Sequence, residues 1–158
     1  RNFFYSLQEK TIFSRFFYKM KLFSHELVQE QWASVDYHKN MSMIGQVRIG
    51  GHQEIIAIGS YADEGEGASC AEVAFVVRED YQGMGIASYI LEQLEVIARE
   101  NDYTGFVATT LRENAPMIHV FKRRYPNAKI MSSSSDYVIV MDFDDPDKPE
   151  TRFREPEL

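Results

Sequence analysis

At 158 residues the chain is one domain's worth of protein and can bury a sizeable core, and 44% apolar with 13% aromatic residues is a globular composition rather than a disordered one. A formal net charge of -7 argues against a broad phosphate-binding surface, so no nucleic-acid partner is expected, and it leans weakly toward a cationic acceptor such as an amine. No apolar stretch approaches the roughly 18 residues that span a bilayer, and Glu9 and Lys10 break any secretory signal, so no membrane partner is expected either.

Residues 1–34 read as helical, with Phe3, Phe4 and Leu7, then Ile12, Phe13, Phe16 and Phe17, at three- and four-residue spacing. Ser24 is a candidate cap for a second helix carrying Leu27, Val28 and Trp32. From Met41 the period shortens. Residues 43–49 and 54–59 are β-rich runs joined by Gly50-Gly51-His52, a hairpin signal, and residues 63–67 are an exposed turn. Residues 70–77 form a nearly continuous apolar strand, expected to be central and covered on both faces. A helix follows to about Asn101, with Ile86, Ile90, Leu94 and Ile97 on one stripe and Glu92, Gln93, Glu95 and Arg99 facing away. Residues 104–111 are a strand, 114–124 a helix capped by Asn114, and 129–131 and 137–142 two closing strands. The domain is expected to cover residues 1–143, and residues 144–158, rich in proline and charge, read as an unpaired, mobile tail. This order predicts an α/β fold with a mixed sheet and helices on both sides.

The sharpest local feature is Gln82-Gly83-Met84-Gly85-Ile86-Ala87, set between a buried strand and a helix. Amides of a first helical turn lack intrahelical acceptors and carry positive potential, and glycines let an anion approach the backbone, so a diphosphate suits this place. A plain turn accounts for such a glycine pair about as often. A third glycine with a downstream acid, and a Gly-Lys-Ser/Thr sequence, are both missing, which removes the dinucleotide fingerprint and the P-loop.

In this place Gln82 to Ala87 resembles the Q/R-x-x-G-x-G/A motif of the GNAT N-acyltransferases. Glu72-Val73-Ala74-Phe75-Val76-Val77 and Glu113-Asn114-Ala115-Pro116-Met117 are similar to the same superfamily, and Ser14-Arg15-Phe16-Phe17 with Ser24-His25-Glu26-Leu27 resembles its Pat-type protein acetyltransferase branch. The resemblance implies a GNAT acyl-CoA N-acyltransferase fold in which the central strand parts from the next and acetyl-CoA, as cosubstrate, inserts its pantetheine arm between them. Phe75, Val76 and Val77 would line the arm, the amides of Gly83, Met84, Gly85, Ile86, Ala87 and Ser88 with Gln82 would hold the pyrophosphate, and Asn114 and Met117 would reach the arm from the other side. GNAT domains usually open with a strand, and none is read here. The chain is therefore expected to be a fragment lacking its first strand, from a longer polypeptide that is cytoplasmic and often fused to other domains, with the bare edge open or covered in a homodimer.

Acyl transfer to an amine needs a base, because a lysine ammonium titrates near pH 10.4. Glu72 is the candidate: a carboxylate in an apolar run, at the position where Pat-type domains place theirs. A central-strand amide would serve the oxyanion. Many relatives carry a tyrosine seven residues after the asparagine as acid, where this chain has Phe121; Tyr125, a turn later, is expected to pack or cap instead. Cys70 lacks a partnering histidine nearby and reads as a small buried residue, the four histidines show no ligand spacing, and no metal is expected. Lys122-Arg123-Arg124 reads as a solvated helix end. Two functions remain open: acetyl transfer to a protein lysine or a small amine, and a non-catalytic acyl-CoA-binding regulatory module.

Overall fold

The computed structural model describes residues 38–151. The helices expected in residues 1–34, the Ser24 cap and the question of a preceding strand fall outside them. The strands are β1 (Asn40–Ile49), β2 (His52–Asp63), β3 (Cys70–Val77), β4 (Gly105–Leu111), β5 (Lys129–Ser132) and β6 (Asp136–Asp142), and the helices are α1 (Ile86–Glu100) and α2 (Ala115–Arg124). They form one six-stranded sheet in the order β1-β2-β3-β4-β6-β5, with β3 and β4 parallel and every other neighbour antiparallel.

Gly50 and Gly51, both at positive φ, close the β1–β2 hairpin, and the two strands run further than their apolar runs because ladder bonds continue through flanking polar residues. The helix-facing side of the sheet carries the core: Tyr61 of β2, Val73 and Phe75 of β3, Phe106 and Ala108 of β4, Ile139 and Met141 of β6. Gly59 lets α1 settle directly on the sheet, since a Cβ there would stand 2.2 Å from Ile90 Cγ2 and 2.8 Å from Phe75 Cδ1. On that side Phe75 packs against Phe121 of α2, with ring centroids 6.0 Å apart.

Two expectations are corrected. Glu92 and Glu95 do not face solvent; both are buried, because Arg124 of α2 reaches back to pair with them at 3.2 and 3.0 Å and Lys148 closes on Glu95 at 2.5 Å. A charge of one sign tolerates burial when cations and hydrogen bonds surround it. For the same reason residues 144–149 are not unpaired: Asp144 meets Arg99, Asp145 accepts from the Asn127 amide and side chain, and the Pro149 carbonyl accepts from Arg124. Among the described residues no helix is long and apolar enough to cross a membrane.

Candidate active site

The site grows from a break in the sheet. Parallel pairing of β3 with β4 covers only Cys70–Gly105, Ala71–Phe106 and Glu72–Val107; beyond these three pairs the strands diverge. The N–H of Arg78 donates to the Ile56 carbonyl at 2.8 Å, which sets the phase of the β2–β3 ladder. Backbone groups of Glu72, Ala74 and Val76 therefore point to β2, while those of Val73, Phe75 and Val77 point into the gap. Similarly the Phe143 N–H on the Thr104 carbonyl directs Phe106, Ala108 and Thr110 toward β6 and leaves the backbone of Thr109 facing the gap. Edges of two interior strands thus line an opening with no strand between them among the described residues.

At its mouth β3 passes through the turn Glu79–Tyr81 into α1. Arg78 fixes this turn by pairing with Asp80 at 2.7 Å and Glu54 at 2.8 Å and by lying over the Tyr81 ring; its bond holds the Asp80 carboxyl below the usual value. Gln82 Nε2 donates to the Val77 carbonyl at 2.9 Å, tying the turn to the gap-facing edge. Gly83 (φ 74) and Gly85 (φ 82) adopt left-handed conformations, and a Cβ on either would meet nothing within 4 Å, so the space above them is open. Gly85 caps α1 without a side-chain bond, and Tyr89 is the first residue to donate to its carbonyl. The amides of Ile86, Ala87 and Ser88 stand in the first turn, where no intrahelical acceptor reaches them. Met84 is exposed beside them. The arrangement fits an anion cradle opening onto the gap.

Across the gap, Asn114 caps α2 by accepting from the Met117 N–H at 3.4 Å, which leaves its Nδ2 available, and Met117 is half-buried against the core. Val76 is buried on the face opposite α1, and Glu72 is exposed on that same face. Glu72 also occupies the last paired position of β3, the vertex at which the strands part. The sequence brought the cradle, the gap-facing strand and Glu72 along one seam, with the cradle at its mouth and Glu72 at its vertex; it did not bring Asn114 and Glu72 to one face. Phe121 is fully buried. Tyr125 is buried too, donates to Glu95 Oε2 at 2.7 Å, and is pushed above the usual tyrosine range by burial and by the Glu95 charge, so it is a structural donor. Lys122 caps the end of α2 by bonding the Pro126 and Ala128 carbonyls, Arg123 is exposed, and Arg124 lies in the buried cluster rather than on a solvated face. Cys70 is half-buried, and among the described residues no three His, Cys, Asp or Glu side chains converge as a metal site. Sequence reasoning missed Thr110, whose buried hydroxyl finds no partner among the described residues.

The model of the acetyltransferase (GNAT) family matches residues 7–125. The acetyltransferase Pat of Mycolicibacterium smegmatis is 39% identical over 69 residues, covering 44% of this chain and 21% of Pat. An acetyltransferase of Pseudomonas aeruginosa is 28% identical over 117 residues, 74% of this chain and 62% of that protein. The chain thus spans less than two thirds of either relative's length. Among solved structures, the GNAT domain of S. lividans PAT superposes with a TM-score of 0.74 at 26% identity, covering 90% of this chain and 82% of that one.

Proposed function

Because the chain belongs to the GNAT acetyltransferase family, we propose that it transfers the acetyl group of acetyl-CoA to a primary amine, a protein lysine first and a small-molecule amine second. The observation that carries this reading is the vertex: pairing of β3 and β4 stops at Glu72–Val107, opening a seam of bare amides with a phosphate cradle at one end and a carboxylate at the other.

In this reading the amides of Gly83 to Ser88 hold the pyrophosphate, the gap-facing groups of Phe75 and Val77 pair with the pantetheine arm, and Asn114 Nδ2 and Met117 meet it from α2. The Val77 carbonyl already accepts from Gln82, so the Val77 N–H is the group it offers. A gap-facing N–H of β3 stabilises the tetrahedral oxyanion, a role worth about 3 kcal/mol where such donors are preorganised. Glu72, on the face away from the helices, takes the ammonium proton so that the neutral amine can attack the thioester carbonyl. The likeness to Pat supports a protein lysine and a longer parent polypeptide, and a cytoplasmic setting belongs to the same proposal.

Phe121 favours a second reading, because a buried phenyl ring gives no proton and an acyl-CoA-binding regulatory module has no need of one. Turnover separates the two. Acetyl-CoA is supplied with a panel of amines and proteins, free thiol is followed, and Glu72→Gln is run beside the wild type. The expected result is transfer by the wild type and a loss of roughly 100-fold or more in kcat for the variant, with acetyl-CoA affinity kept. Transfer by Glu72→Gln at the wild-type rate removes Glu72 as base; binding without any transfer establishes the regulatory module.

A further inference from the structure

Continuing the register of the three β3–β4 pairs past the vertex sets Thr110 opposite Phe75 across the gap. Phe106, Ala108 and Thr110 alternate onto the helix-facing side of β4, the side on which Phe75 packs against Phe121. Thr110 is 3% exposed, its backbone is engaged with β6, and among the described residues its Oγ1 has no hydrogen-bond partner. A buried hydroxyl without a partner destabilises the fold, and Val would fill nearly the same volume without that cost. The unpaired donor lies on the same side of the sheet as Phe121, the residue that leaves the leaving group without an acid.

We propose that the Thr110 hydroxyl donates the hydrogen bond that stabilises the departing thiolate of coenzyme A, an inference that rests on the acetyl-transfer reading above. With the first ammonium proton already on Glu72, the neutral amine's lone pair forms the new C–N bond, the C–S bond breaks and its electron pair leaves on sulfur, and the second proton shed by the nitrogen passes to water. Thr110 keeps its proton: it gives a hydrogen bond to the sulfur, and water later protonates the thiolate. A thiol titrates near pH 8.5, so a donor suffices where an alkoxide would need a full acid.

The test is the kinetics of Thr110→Val and Thr110→Ser with acetyl-CoA and with its selenoester analogue, whose selenolate leaves more readily. A hydrogen bond to a charged group corresponds to a loss of roughly 10- to 100-fold in kcat for Thr110→Val with acetyl-CoA. The loss should be smaller with the selenoester and largely rescued by Thr110→Ser, with the thermal midpoint of the empty domain no lower. An unchanged kcat, an effect on the KM for acetyl-CoA alone, an equal loss on both donors or a failure of Ser to rescue overturns the assignment. A wild type that transfers to no amine overturns the acetyl-transfer reading and this assignment together; one that transfers while Thr110→Val keeps pace overturns the assignment alone.

Discussion

Gly85 meets the strictest conformational demand at the cradle. Its φ of 82° is left-handed, and a side chain in that region costs about 1–2 kcal/mol. Because a Cβ there touches nothing within 4 Å of the protein, folding would bear only this strain, while the added methyl would stand where an anion must approach. Gly85→Ala should therefore lower the denaturation free energy by about 1–2 kcal/mol and weaken acetyl-CoA binding by a larger factor, as read by calorimetry. An affinity loss no greater than the stability loss would remove the cradle from phosphate binding. The glycines were legible in the sequence because positive φ has few other tenants. The Gln82 bond to Val77 and the lone hydroxyl of Thr110 were not, since both depend on where a strand edge points, which a residue string leaves unstated.

Among elements, the contact of α1 with the sheet turns on one missing methyl. A Cβ on Gly59 would drive into Ile90 and Phe75 at 2.2 and 2.8 Å, so Gly59→Ala must displace α1 or Phe75. Overpacking of this kind costs about 1–3 kcal/mol, and a tilt of α1 also moves the cradle amides. The variant should lose denaturant stability and acetyl-CoA affinity together; unchanged affinity would mean that the helix start is set by the Arg78 turn alone. Element order, and the limits of β3 and α1 to within a residue or two, followed from apolar period and from glycine. The solvent face assigned to α1 did not hold, because a helix read by itself cannot report that Arg124 and Lys148 arrive from other segments to pair with Glu92 and Glu95.

For the molecule as a whole, the cluster around Glu95 joins α1, α2 and residues 143–149. Burial pushes the Glu95 carboxyl up, but bonds from Lys148 and Tyr125 and the charge of Arg124 outweigh it and hold the group below the usual carboxylate range. The unfolded chain then takes up this proton first, near pH 4.3. The contribution of Glu95 is thus complete above that pH and is lost as the pH falls through the lower folded value. Denaturation midpoints should drop on acidification below about pH 4.3, and Glu95→Gln should flatten that drop; an unaltered acid profile would place the pH dependence elsewhere.

The diverging strands also carry a liability. Interior β-edges left bare inside a sheet are adhesive toward any extended backbone, and in the proposed reading the pantetheine arm of acetyl-CoA covers those of β3 and β4. Acetyl-CoA should then act as a shield as well as a reagent, so that light scattering of the stripped domain rises on gentle warming and subsides when the cosubstrate is returned before heating.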